Sequence, residues 1–189
     1  TKSQTNINTT YQSSIKNMKT YIGIDIGKKG GIAVISSDEI TTYPIPLIKD
    51  EISYSDLFDL IEHIQLTDLA KANGDIHIVF EKLGVIFGTS KITAFSMGYQ
   101  SGAIEMIAIA LKIPYTKVPA KQWQKEMFQG VEIIKKPGRT NNDTKAMALI
   151  AVNRIFPKQK LTFGTKATKP HDGLIDALLM AQYAKRKNY

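Results

Sequence analysis

Between Thr20 and Pro46 the chain runs through three short β-type segments with almost nothing between them. TYIGIDIG (20–27), GIAVIS (31–36) and Glu39 to Pro46 are separated only by Lys28–Gly30 and Ser37–Asp38. Joins this short allow hairpins and no crossover, so the three segments must form an antiparallel meander. From Ser55 to Ala72, Leu57, Leu60, Ile61 and Ile64 recur at helical spacing. Ser53 or Ser55 can cap that helix and Asn73–Gly74 can end it. The apolar run Ile76 to Lys82 then follows a helical crossover, which predicts a buried strand parallel to the first.

Beyond the glycine-containing segment Gly84 to Ser90, the residues Ile92, Phe95, Tyr99, Met106 and Ile109 predict a long helix containing Gly98 and Gly102. Pro114 to Val118 reads as a short strand and Pro119 to Met127 as a brief helix. A polar, basic stretch covers Gln129 to Asn142, and Asn141 or Asn142 can cap a helix that stops before Pro157. The basic loop Lys158 to Lys169 leads to a final helix from about Asp172 to Lys187. The expectation is an α/β domain with a mixed five-stranded sheet flanked by helices, in the order of the ribonuclease H-like layout. Residues 18–189 fit one such domain. Residues 1–17, rich in Ser, Thr, Asn and Gln, read as a disordered arm or tag remnant.

The charge is divided unevenly along the chain. Residues 1–111 hold 9 Lys/Arg against 12 Asp/Glu, and residues 112–189 hold 16 against 5, so the first part is −3 and the second +11. One strongly positive side suits a phosphate-backbone partner, although a solvated basic surface gives the same count. Lys135, Lys136 and Arg139, in the polar stretch, are candidate backbone contacts. There is no cysteine, which excludes disulfides, thiolate metal sites and a cysteine nucleophile. No apolar run approaches the ~20 residues of a membrane span. The expected location is the cytoplasm or nucleoplasm.

Four carboxylates stand out. Asp25 lies between Gly23 and Gly27 in the first strand, on the face opposite Ile22, Ile24 and Ile26. The glycines would leave room for a metal or phosphate; a strand-end aspartate bonded to a turn is the plainer alternative. Glu81 ends the apolar strand on the face of Val79 and His77, where α/β folds place ligands, unless it merely pairs with Lys82 or Lys91. Asp172 and Asp176 are four apart on a largely apolar helix, so like charges share one face and a cation would reconcile them. Such all-oxygen donors suit Mg2+, with Mn2+ as a substitute, rather than zinc. Two ions of this kind can clamp the attacking and leaving oxygens of a phosphodiester, with water as nucleophile. His171, directly before Asp172, either assists such a site or bonds the helix start.

The stretches YIGIDIGKKGGIAVI, IVFEKLG, SMGYQSG, IPYTKVPAKQW and HDGLIDALLMAQY run in order from Tyr21 to Tyr183. Taken together the chain resembles RuvC-like crossover-junction endonucleases, of the compact phage and bacterial type related to poxvirus and chloroplast resolvases. That resemblance implies a nuclease that resolves four-way (Holliday) DNA junctions by paired symmetric nicks. Asp25, Glu81, Asp172 and Asp176 would be the metal carboxylates. It implies basic side chains near the scissile phosphate around Trp123, where Gln124 follows the tryptophan and the role passes to Lys125 or Lys121, with Lys145 binding the DNA backbone. It also implies a two-fold homodimer, through the helix of Gly98 and Gly102 unless those glycines serve core packing. Phe87, in the apolar loop after Glu81, is a candidate wedge at the branch point, with core packing the favoured alternative. Competing readings are a ribonuclease H-like nuclease acting on RNA–DNA hybrids or in transposition, an actin-like or sugar-kinase-like ATPase, for which one domain is too little, and a non-catalytic DNA-binding module.

Overall fold

The computed structural model describes residues 19–37, 39–72, 75–84, 90–164 and 167–189, with backbone only for 68–72. The expected arm, the Asn73–Gly74 helix stop and Phe87 lie outside them. Strands β1 (Thr20–Asp25), β2 (Gly31–Ser36) and β3 (Glu39–Pro44) form the antiparallel meander. Helix α1 (Tyr54–Ala72) crosses to β6 (Ile76–Glu81), which pairs parallel with β1, and β7 (Tyr115–Val118) pairs parallel with β6. The sheet order is β3-β2-β1-β6-β7, the expected mixed five-stranded sheet.

Side-chain alternation divides the packing into two layers. Ile22, Ile24, Ile32, Val34, Ile78 and Phe80 face one way, where they meet Leu57, Ile61 and Ile64 of α1. Ile104, Ile107 and Ala108 of α2 (Lys91–Ala110) join the same layer. Tyr21, Ala33, Ile35 and Val79 face the other way, onto α3 (Ala120–Met127), α4 (Thr144–Ile155) and α5 (Asp172–Lys187). The acidic first part of the chain thus supplies the helices of one face, and the basic second part supplies those of the other.

Two details differ from expectation. A two-stranded ribbon, β4 (Leu47–Ile48) with β5 (Glu51–Ile52), projects after β3. Helix α4 is capped by Asp143, whose carboxylate accepts from the Ala146 N–H at 3.1 Å, and not by Asn141 or Asn142. Ser53 does cap α1, accepting from the Asp56 N–H at 3.4 Å. Among the described residues no helix is long and apolar enough to cross a membrane.

Candidate active site

Helix α5 is the centre of the fold and the source of two of the four acids. Leu174, Ile175, Leu178, Leu179, Met180 and Tyr183 are all buried. Each such side chain contributes roughly 1.5–3 kcal/mol on burial. The helix lies hard against β1 and β2 because glycines face it. A Cβ at Gly23 would fall 2.0 Å from the Ala177 carbonyl oxygen, and one at Gly31 would meet Leu174 and Gly173 within 3.0 Å. Gly173 itself forms a bridge with Gly30. The space beside Asp25 at Gly23 is therefore filled by helix backbone, which corrects the expectation that this glycine makes room for a metal or phosphate. A Cβ at Gly27 would meet nothing within 4 Å among the described residues.

This docking brings the carboxylates together. Ile24 pairs with Phe80 across β1 and β6, so Asp25 and Glu81, the next residue on each strand, sit side by side at about the 4.8 Å interstrand spacing. Gly30 and Gly31 touch the first turn of α5, which sets Asp172 and Asp176 at the same end of the sheet, on the face of Asp25. Asp25 and Asp176 feel the charges of the other acids. Burial pushes the Asp25 carboxyl up to about 7, aided by the charges of Asp176, Glu81 and Asp172 and opposed by Lys145. Burial, with Glu81 and Asp172, pushes Asp176 up to about 6. Burial also raises Glu81. Among the described residues, however, no three Asp, Glu or His side chains are arranged as a ready cage for a metal ion.

The basic candidates separate in space. Lys145, expected only to touch backbone phosphate, lies at the acids: its Nζ donates to Asp172 Oδ2 at 2.6 Å. Lys125 does not join them. It is exposed on α3, beside Glu126, which pairs with Lys187 at 2.9 Å at the far end of α5, about 22 Å along that helix from Asp172. Lys121 is exposed one turn earlier. Lys135 is bound into its own loop, donating to Thr140 O at 3.0 Å and Asn142 Oδ1 at 2.8 Å. Lys136 and Arg139 are exposed on that loop, which closes at Asp143, just before Lys145. Trp123 is core, 2 % exposed. His77 is half-buried and shares a 2.8 Å hydrogen bond with Thr116.

His171 occupies the N-cap position of α5 without a side-chain capping bond. Its ring packs on Phe163, with centroids 4.7 Å apart, and its buried Nδ1 has no partner among the described residues. The side chain is therefore not the helix-start bond that the sequence allowed.

No protein-family model and no curated protein matches this sequence. Solved structures do. The structure of T. thermophilus RuvC in complex with a Holliday junction substrate matches 89 % of this chain and 96 % of its own, at 15 % identity and a TM-score of 0.50. A structure of Thermus thermophilus RuvC covers the same shares at 16 % identity and a TM-score of 0.49. At these identities the likeness concerns architecture, and the chain has the ribonuclease H-like fold of RuvC.

Proposed function

We propose that this protein is a divalent-metal-dependent endonuclease that resolves four-way DNA junctions. The observation that carries the reading is the convergence of Asp25, Glu81, Asp172 and Asp176, from three separate elements, on one end of the sheet. Packing forces these acids together against their mutual repulsion, and an all-oxygen donor set of this kind fits Mg2+ or Mn2+. When bound, such ions activate water and stabilise the oxygens of a phosphodiester displacement. The four carboxylates hold the ions, and Lys145 lies where a phosphate at the site would meet an ammonium. Lys136, Arg139 and Lys121 contact the backbone, while Lys135 shapes the loop that presents two of them. RuvC, whose fold this chain shares, has been solved on a Holliday junction.

The same reading includes a two-fold dimer. Along α2, Ile92, Phe95, Tyr99, Met106 and Ile109 are all exposed, Ile92 at 83 % and Phe95 at 75 %. A Cβ at Gly98 or Gly102 would meet nothing within 4 Å among the described residues, so their packing does not require either glycine. An apolar stripe of this length is a surface to be covered. A second copy related by a two-fold axis would match the two-fold symmetry of the junction and cut opposed strands.

The test is a gel assay with Mg2+ in which labelled four-way junction, flap, linear duplex and RNA–DNA hybrid compete. Paired nicks confined to the junction are expected. Preferential cutting of the hybrid, or none of any DNA with Mg2+ or Mn2+, would overturn the proposal.

A further inference from the structure

Lys145 is in an unusual place for a lysine. It is the second residue of α4, at the end of a helix where the backbone dipole repels a cation. The nearby N-cap acid, Asp143, spends its carboxylate on the Ala146 N–H. What holds the ammonium is Asp172 across the gap on α5, at 2.6 Å. The lysine charge also opposes the repulsion felt at Asp25 and Asp176. Asp172, one of the four acids, is thus already engaged, and no three donors stand ready as a cage among the described residues. The lysine side chain is nevertheless 72 % exposed, within reach of an approaching phosphate.

We propose that Lys145 is a place-holding cation, which balances Asp172 in the DNA-free protein and is drawn off by a DNA phosphate so that Asp172 is released to a divalent ion. The inference rests on the nuclease reading above and adds a coupling to it: DNA and metal each favour the binding of the other. The exchange is easy because the pair is exposed, and an exposed pair is worth a factor of about five at most. Lysine suits the part, as a point charge with three donors on a flexible stem. By linkage, the factor by which the junction tightens metal binding is the factor by which metal tightens junction binding. The unloaded protein then holds its ions weakly, and the full charge of the site assembles on the substrate.

The experiment measures Mn2+ binding to the full chain without DNA, by electron paramagnetic resonance or calorimetry, for wild type, Lys145→Met, Lys145→Arg and Asp25→Asn. Removing the lysine charge should tighten Mn2+ binding roughly three- to tenfold, since it ends both the ion pair and the repulsion between ammonium and dication. Lys145→Arg, which keeps the charge, should bind like wild type. With Ca2+ as the probe, adding a four-way junction should tighten binding to wild type more than to Lys145→Met, by the same three- to tenfold. Lys145→Met binding Mn2+ no tighter than wild type, while Asp25→Asn binds more weakly, would overturn the place-holding role alone. Wild type and Asp25→Asn binding Mn2+ equally would instead remove the metal site, and with it the nuclease reading.

Discussion

Removing the negative charge of Asp25 and Asp176 should stabilise the metal-free protein while ending its proposed activity. The folded state raises Asp25 from 3.8 to about 7 and Asp176 from 3.8 to about 6. A carboxyl raised on folding contributes stability that is fully present below its unfolded value and lost as pH rises through its folded value. The loss therefore spans about pH 4 to pH 7. Between pH 5 and pH 8 the two shifts amount to about 4 kcal/mol, at 1.36 kcal/mol per pKa unit. For a chain of this size that is a fall in Tm on the order of 10 °C. Other groups pull the other way. Glu105 and Glu126 are lowered by their lysine partners, so their contribution is lost only at more acid pH. His77 is lowered by burial, so it adds stability as pH rises. The assay is thermal unfolding in EDTA at pH 5 and pH 8, comparing wild type with the Asp25→Asn/Asp176→Asn double variant, which keeps all three of those groups. Wild type should lose about 10 °C relative to the variant, and millimolar Mg2+ should restore much of that loss in wild type only. Parallel pH profiles in the two proteins would refute the claim that packing forces these acids together.

Asp25→Asn, Glu81→Gln, Asp172→Asn and Asp176→Asn should each abolish junction cutting in Mg2+ while leaving junction affinity within about tenfold, as read by gel cleavage and gel shift. Gly23→Ala should cost about 3 kcal/mol, measured by denaturant unfolding, because its Cβ would meet α5 backbone that cannot swing aside. If α2 forms the proposed two-fold interface, Phe95→Glu with Tyr99→Glu should give a folded monomer where wild type is a dimer by light scattering, with little change in secondary structure. Charge reversal at Lys136 and Arg139 should weaken junction binding and flatten its salt dependence without lowering Tm, whereas Lys135→Glu should also loosen the loop, as seen by faster hydrogen exchange over 134–143.

Much of this arrangement was legible in the sequence, where its causes are local. Two- and three-residue joins dictate a meander whatever follows, and the four-residue spacing of Asp172 and Asp176 puts them on one helical face in any fold. The β4–β5 ribbon was not legible. Its turn, Lys49–Asp50, takes positive φ at both positions (50° and 60°), a conformation usually signalled by Asn-Gly. Asp143 took the cap from Asn141 and Asn142 because Asn142 is used to close the basic loop on Lys135. The Lys145–Asp172 contact was not legible, because its partners are 27 residues apart and no pattern along the chain marks it. Lys125, which the resemblance puts near the scissile phosphate with Lys121 as the alternative, lies instead beside Glu126, whose partner Lys187 is at the far end of α5.

The glycines give the deeper lesson about how fold and site are joined. Gly23, Gly31 and Gly173 lie along one seam, where backbone or a packed leucine from the other side occupies the position of each missing side chain, while at Gly30 it is taken by the Asp25 carbonyl of the same hairpin. That seam lets α5 settle within contact of β1, and burial of its apolar face, on the order of 10 kcal/mol or more, sets its position. Burying Asp25 and Asp176, and adding the charges of Glu81 and Asp172 beside them, works against this by about 7 kcal/mol at neutral pH. The apolar term is the larger, so the acids stay together even without a counter-ion. Widening the seam at Gly23 would relieve the acids and loosen the core in the same step. Gly23→Ala should therefore shift stability less at pH 8 than at pH 5, and an equal cost at both values would show that the seam and the carboxylates are independent.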